Sequence, residues 1–415
     1  MNGTKLYQKL AIVPIVALSI AVAGCNKQAD NGTIEPTTTA NTSTTTTTGK
    51  NTTLNYSKNS PLDTSNMFTQ TDLTQTVDTT NAKKITLEDG KDVTIDTAGT
   101  YVITGTAKNS TVIINASADA EVHLVFDNVS ITNTNKPTVY AVNAKNVYVT
   151  TTQNSTNNLK VTDEFTEDDG NDIDAVIFAK TNITLNGLGT LNIDSSANGV
   201  ASNSDLKITG GIYNVNTIKH GFKALNSIRV ADGTFNINAT KDGFHSENED
   251  DLTTGYVYIA GGNFTINSED DGIQGTSITE IDGGTFAINA VEGIEGTYVQ
   301  INDGTIKIYA TDDGINASEK ATNYDIQLEI NGGNLDITMA EGDTDALDAN
   351  GTLTINGGYI NITAQFAFDF DLTASLNGGT VIVNGTQVTS ITNSMMEGGE
   401  GPGGQPGQGG FSDPR

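Results

Sequence analysis

Over most of the chain apolar and polar residues alternate in short runs, and Gly-Gly or Asp-Gly breaks the runs. One unit recurs, Ile-x-Gly-Gly-x-Φ-x-Ile with Φ apolar, starting at Ile208, Val230, Ile259, Ile281, Ile301, Ile330, Ile355 and Leu376. The intervals are 22, 29, 22, 20, 29, 25 and 21 residues. Within a unit, Val230, Phe235 and Ile237 should point one way and Asn236 and Asn238 the other. Period-two runs bounded by turn residues are short strands. A repeat of this length without helical periodicity predicts an all-β solenoid, a parallel β-helix with one repeat per coil. Coils about 4.8 Å apart would bury one continuous core between neighbours. Tyr213, Phe235, Phe264 and Phe286 share an inward place and should stack inside it. Parity puts Tyr256, Tyr258, Tyr298 and Tyr309 outside, where a ring can stack on a sugar.

The segment from Ile85 to Thr184 is less regular but strand-like, and reads as the first coils with an N-terminal cap over the open edge. Composition agrees: 63 Thr, 45 Asn and 44 Gly favour strands and tight turns over helices.

A second motif, X-Gly-Φ-x, follows each strand pair, as in Asp242-Gly-Phe-His245, Asp271-Gly-Ile-Gln274, Glu292-Gly-Ile-Glu295, Asp313-Gly-Ile-Asn316 and Asp345-Ala-Leu-Asp348. Equivalent positions of a β-helix stack along its axis. Asp242, Asp271, Glu292, Asp313 and Asp345 should therefore form one column, and His245, Gln274, Glu295, Asn316 and Asp348 a second, with Asp270 and Asp312 beside the first. Asx residues suit such turns in their own right. Stacked like charges do not: at about 5 Å and an effective dielectric near 20, each neighbouring pair repels by roughly 3 kcal/mol. Calcium, which takes six to eight oxygen ligands, is the economical counter-charge. Solvated turns without an ion are the alternative. The expected centre lies around Asp242, Asp270, Asp271 and Glu292, with Glu247, Glu249, Asp250 and Asp251 and Asp343, Asp345 and Asp348 as lesser clusters.

The net charge of −29 excludes nucleic acid as a partner, since 21 basic residues cannot neutralise a phosphate backbone, and it suits divalent cations. His220-Gly-Phe-Lys223 interrupts the acidic run. Lys223 beside a bound calcium could remove the C5 proton of a uronic acid; the plainer reading is a lysine paired with the column.

At the N-terminus Lys5 and Lys9 precede an apolar run from Leu10 to Ala23 that ends in Val22-Ala23-Gly24-Cys25. The run is short for a membrane span and holds Pro14. Small residues before the chain's one cysteine resemble the lipobox of bacterial lipoproteins, which implies a lipidated Cys25 and a membrane contact through that anchor alone. The expected organisation is a signal peptide over 1–24, a Thr-rich tether and lead-in over 25–84, the β-helix over 85–390 and a disordered Gly-rich tail over 391–415.

Several stretches in order resemble a family of bacterial cell-surface carbohydrate-binding proteins with a polysaccharide-lyase-like right-handed β-helix. They are Asp127-Asn-Val-Ser-Ile-Thr132, Asn186-Gly-Leu-Gly-Thr-Leu191, Gly199 to Gly211, His220-Gly-Phe-Lys-Ala224, Asp242 to Asp251, Glu292-Gly-Ile-Glu-Gly296 and Asp312-Asp-Gly-Ile-Asn-Ala317. The resemblance implies binding of cellulose and acidic pectic polymers, with calcium in the Asp-rich turns. Phe366-Ala-Phe-Asp369 departs from the pattern, which puts a longer ladder in doubt. The expectation is a lipid-anchored surface protein that binds polysaccharide without turning it over. A calcium-dependent pectate-type lyase and a structural adhesin with a protein partner are the alternatives.

Overall fold

The structure is a computed structural model that describes residues 61–166, 173–342 and 344–394. The tether, most of the tail, Cys25 and Asp343 lie outside the described residues. Its regular structure is almost entirely strand: one sheet runs through 34 strands, with a single 3-10 turn at Thr64–Asn66 among the described residues. Pairing is parallel throughout except at the last hairpin, where Thr386–Val388 folds back on Thr380–Val383.

Most strands pair with the strand three places on in the chain, so a coil has three sides. A representative coil passes along Asn198–Ser202, Asp205–Ile208 and Ile212–Thr217, and the next repeats the path at Phe222–Ala224, Ser227–Val230 and Thr234–Ala239. We name these sides the acid face, the covered face and the amide face. The repeat holds residue by residue on the amide face, where Phe235 pairs with Phe264 and Phe264 with Phe286.

The core is the stack that the inward positions predict. Tyr213, Phe235, Phe264 and Phe286 lie ring on ring, with centroids 5.2, 4.7 and 4.4 Å apart. Phe222 and Phe244 stack on each other at 5.0 Å and meet this column edge-on. Two glycine positions explain the motifs. Gly262, the second of Gly-Gly, has φ +121°, and a Cβ there would touch the Phe264 ring. Gly272, in X-Gly-Φ, leaves no room at all: a Cβ would sit 2.5 Å from the carbonyl oxygen of Gly293 in the next coil.

The first coils begin at Lys83. The first strand edge carries the exposed charges of Lys83 and Lys84, which discourage pairing with another chain. The described lead-in runs along the side of the solenoid as a strap on the covered face. Asp72, 1% exposed, accepts a hydrogen bond from Thr184 and pairs with Lys207 at 2.7 Å. Gln75 accepts from the Gly187 amide and donates to the Thr209 carbonyl. Further along, Arg229 donates to the Met67 carbonyl and Phe68 packs on Tyr258.

Candidate functional site

On the acid face the two columns form in the register that the X-Gly-Φ-x motif dictates. Gly221 donates to the carbonyl of Asp242, Gly243 to that of Asp271, Gly272 to that of Glu292 and Gly293 to that of Asp313. Asp313 pairs with Asp345. The first column is thus His220, Asp242, Asp271, Glu292, Asp313 and Asp345. The second runs Lys223, His245, Gln274, Glu295, Asn316, Asp348 and Asp369, each residue in register with the next. At the end of the ladder the columns differ: Phe366 closes the first, whereas Asp369 extends the second by one coil.

These acids are not solvated. Asp242, Asp271 and Glu295 are 3%, 6% and 2% exposed, and Glu292, Asp313, Asp345 and Asp348 are half-buried. Carboxyl oxygens of Asp271, Glu292 and Glu295 lie within 4.8 Å of one another, and so do those of Asp242, Asp270 and Asp271. Burial and the charges of Asp242, Glu295 and Glu292 push the Asp271 carboxyl up to about 10. Burial and Glu295 push Glu292 to about 8. Burial, Asp348 and Asp312 push Asp313 to about 7, and burial with Asp369 and Asp345 pushes Asp348 to about 6. Without a cation Asp271 and Glu292 hold their protons at neutral pH. Gln274 offsets part of the charge by donating to Asp271 at 2.7 Å and to Glu295. Lys320, from a loop, pairs with Glu295 at 2.7 Å. Farther along, Asn316 donates to Glu292, but its buried Oδ1 has no partner, and neither has the buried Oδ1 of Asp348. A set of hard, buried oxygens with lone pairs to spare is the donor set calcium takes.

The flanking acids behave differently. Asp270 is engaged by Lys241 at 2.6 Å, and Asp312 is exposed. Glu247 bonds His245, while Asn248 accepts from the amides of Asp250 and Asp251, so the Glu247–Asp251 run is a self-bonded turn rather than a ligand cluster. Lys223 is half-buried beside His245 on the acid face.

The four tyrosines separate. Tyr258 is outside the coil, as parity requires, but it is 0% exposed: the strap covers it through Phe68, and its hydroxyl donates to Asp282 at 2.9 Å. The expectation of an accessible sugar platform there is corrected, because parity says nothing about a second segment lying on the face. Tyr256 is half-buried at the strap's edge, in contact with Met67, and Tyr298 is half-buried and donates to Glu329. Tyr309 alone of the four is open, at 44% exposure.

Tyr309 extends a feature of the amide face. Asn216, Asn238, Asn267, Asn289 and Tyr309 are successive members of one outward column. Asn238 donates to Asn216 at 2.9 Å and Asn267 to Asn238 at 3.1 Å. The parallel column of Asn158, Asn192, Asn214 and Asn236 is linked in the same way at 2.7–2.8 Å. Each linked amide spends one N–H on its neighbour and keeps the other, with an oxygen lone pair, for solvent or ligand. The Asn members of the first column line a groove of about 770 Å³ whose wall includes Ile218, 60% exposed, and Lys160, Asp194 and Glu269. The Asn parity was legible in the repeat; the wall was not, because Ile218 lies in a turn between repeat motifs.

A family model described as "Carbohydrate-binding domain-containing protein" matches residues 89–343 and 290–394. The chain belongs to this carbohydrate-binding family. A carbohydrate-binding domain-containing protein of Acetivibrio thermocellus is 32% identical over 116 residues, 27% of this chain and 41% of the relative, so the match spans less than half of that relative's length. Among solved structures, the polysaccharide lyase-like protein from C. thermocellum, as a gadolinium derivative, aligns with 63% of this chain and 98% of its own, at 24% identity and a TM-score of 0.47.

Proposed function

We propose that this chain is a lipid-anchored surface protein, attached through Cys25, that holds plant cell-wall-type polysaccharide (cellulose, pectic polyuronate or both) on a calcium-stabilised β-helix without cleaving it. The coils are taken as right-handed, the hand that parallel crossovers adopt. The observation that carries the reading is the pairing of a buried carboxylate ladder with an open amide groove on another side of the same solenoid. Asp271, Glu292 and Glu295 are the residues to hold calcium, with Asn316 and Asp348 offering spare oxygens one and two coils on. Bound there, calcium supplies the positive charge that lets these acids ionise together. The groove gives a neutral glycan laid along the axis a repeating donor–acceptor row, one coil per step, and Tyr309 a ring to stack on.

The test is retention of the full chain on insoluble cellulose and on cross-linked polygalacturonate, each in calcium and in chelator. Cellulose retention that persists in chelator and falls about tenfold in Tyr309→Ala supports the groove. Uronate retention only with calcium moves the ligand to the ladder. No retention on either overturns the reading, and an adhesin with a protein partner then takes its place. One observation favours a lyase as second reading: Lys223 lies in register with His245, which bonds Asp242. An unsaturated uronide product that disappears in Lys223→Ala would establish it.

A further inference from the structure

The chain has three histidines, and two of them meet on one carboxylate at the head of the ladder. His220 comes from one coil; Asp242 and His245 come from the next. The imidazole rings stack with centroids 4.3 Å apart. Nδ1 of His245 lies 2.5 Å from Oδ2 of Asp242, and Nδ1 of His220 lies 3.3 Å from the same oxygen. All three ligand atoms fall within 4.8 Å of one another. Side-chain exposure is 15% for His220, 9% for His245 and 4% for Asp242.

The surrounding bonds decide which nitrogens carry protons. Both nitrogens of His245 face carboxylates, Nδ1 at 2.5 Å from Asp242 Oδ2 and Nε2 at 3.2 Å from Glu247 Oε2, and a carboxylate only accepts, so without a metal each contact calls for an N–H. Nδ1 of His220 accepts the Asp242 amide in a long bond of 3.3 Å, so it presents a lone pair beside the same carboxylate oxygen, which is also 3.3 Å away. A dication held by both Nδ1 atoms and Oδ2 would take the place of the Nδ1 proton of His245 and turn the His220 lone pair, now set against an oxygen, into a ligand.

We propose that His220, Asp242 and His245 form a binding site for a zinc-type transition-metal dication, distinct from the all-oxygen clusters farther down the ladder. Two imidazoles and a carboxylate suit zinc, copper or nickel, whereas calcium takes oxygen donors. Three protein ligands leave a fourth position open. Glu247 completes the arrangement as the carboxylate that orients a ligating histidine through its other nitrogen. Asp242 also belongs to the cluster with Asp270 and Asp271, so it joins the nitrogen-bearing site to the oxygen sites. Lys223, in register with His245, is a nearby cation that opposes the ion.

The experiment uses the full chain, stripped with chelator and reloaded with cobalt or zinc in excess calcium. Wild type should retain one more equivalent than His220→Gln/His245→Gln and should show the visible ligand-field bands of nitrogen-ligated cobalt. Glu247→Gln should weaken zinc by roughly 10–100-fold, Lys223→Ala should strengthen it, and Glu88→Gln, an exposed carboxylate paired with Lys91, should leave it unchanged. Equal uptake in wild type and the double variant, or complete displacement by calcium, overturns the proposal. Should the double variant lose its β-sheet circular dichroism, the wild-type cobalt spectrum decides: bands no stronger than those of the aqua ion overturn the site.

Discussion

If the ladder holds calcium as proposed, removing the ion should reverse how stability depends on pH. In the metal-free protein Asp271, Glu292 and Asp313 are raised to about 10, about 8 and about 7 by burial and by one another's charge. In the unfolded chain they ionise near pH 4. Between about pH 5 and about pH 7 the folded state therefore binds more protons than the unfolded state, and stability falls as pH rises. Asp271, 6% exposed, is enough to set the scale. One carboxyl kept protonated through that window contributes a slope of about −1.4 kcal/mol per pH unit, and its neighbours add to it. His245 acts in the same direction. Burial lowers it, but Asp242 and Glu247 outweigh that and raise it, so its contribution is present below its ordinary value and lost as pH climbs past the folded one. Asp242, opposed by burial but held well below the usual range by His220 and His245, stays ionised and adds no slope. With calcium bound the ligands are already deprotonated, so the slope should flatten or turn positive, and loading should release protons. The assay is urea unfolding followed by circular dichroism at several pH values, in chelator and in calcium. General repulsion from a charge of −29 also disfavours high pH. Asp271→Asn separates the two effects, since it deletes the buried titration and should make the chelated slope shallower by about 1.4 kcal/mol per pH unit. A chelated slope that is positive, or that calcium and Asp271→Asn both leave unchanged, would refute the reasoning.

Phe264→Ala opens a hole between two stacked rings at 4.7 and 4.4 Å and should cost about 3–5 kcal/mol in urea unfolding. Gly272→Ala forces a Cβ onto the next coil's carbonyl and should cost about 1–3 kcal/mol in urea unfolding. Asp72→Ala leaves Lys207 without its partner and should loosen the strap by about 3 kcal/mol, read as faster amide hydrogen exchange over residues 64–75 while the coil strands stay protected.

The solenoid was legible because its repeat is enforced twice, by alternation within a strand and by stacking between coils. Once Ile259 and Ile281 are placed as equivalents, Phe264 must lie on Phe286 and Asp271 on Glu292, and the pairings follow. What the repeat does not encode is what lies upon it. Tyr258 and Tyr309 have the same outward parity, yet one is sealed beneath Phe68 and the other is open. The strap that makes the difference, with Asp72 and Gln75, comes from a segment without periodicity. Lys320 was missed for a related reason: it belongs to the loop that lengthens the interval from Ile301 to Ile330. That long interval announces an insertion but not where the insertion folds. The two histidines were visible as breaks in the acidic pattern, but only the stagger of adjacent coils brings both onto Asp242.

The three sides of the coil divide the possible roles. The covered face is occupied over the coils of Asn186 to Tyr258 by the chain's own lead-in, so over those coils a long glycan has the acid face or the amide face to lie on. The acid face is a row of buried carboxylates, and a polyuronate can approach it only through cations shared with its own carboxylates. The amide face carries no such row; its Asn residues are neutral, and its groove walls mix Thr, Ser and Ile with the isolated charges of Lys160, Asp194 and Glu269. A neutral glycan there is indifferent to calcium except through the stability of the coils beneath it. Calcium dependence of binding, measured where the chelated protein is still folded, therefore reports which face carries the sugar.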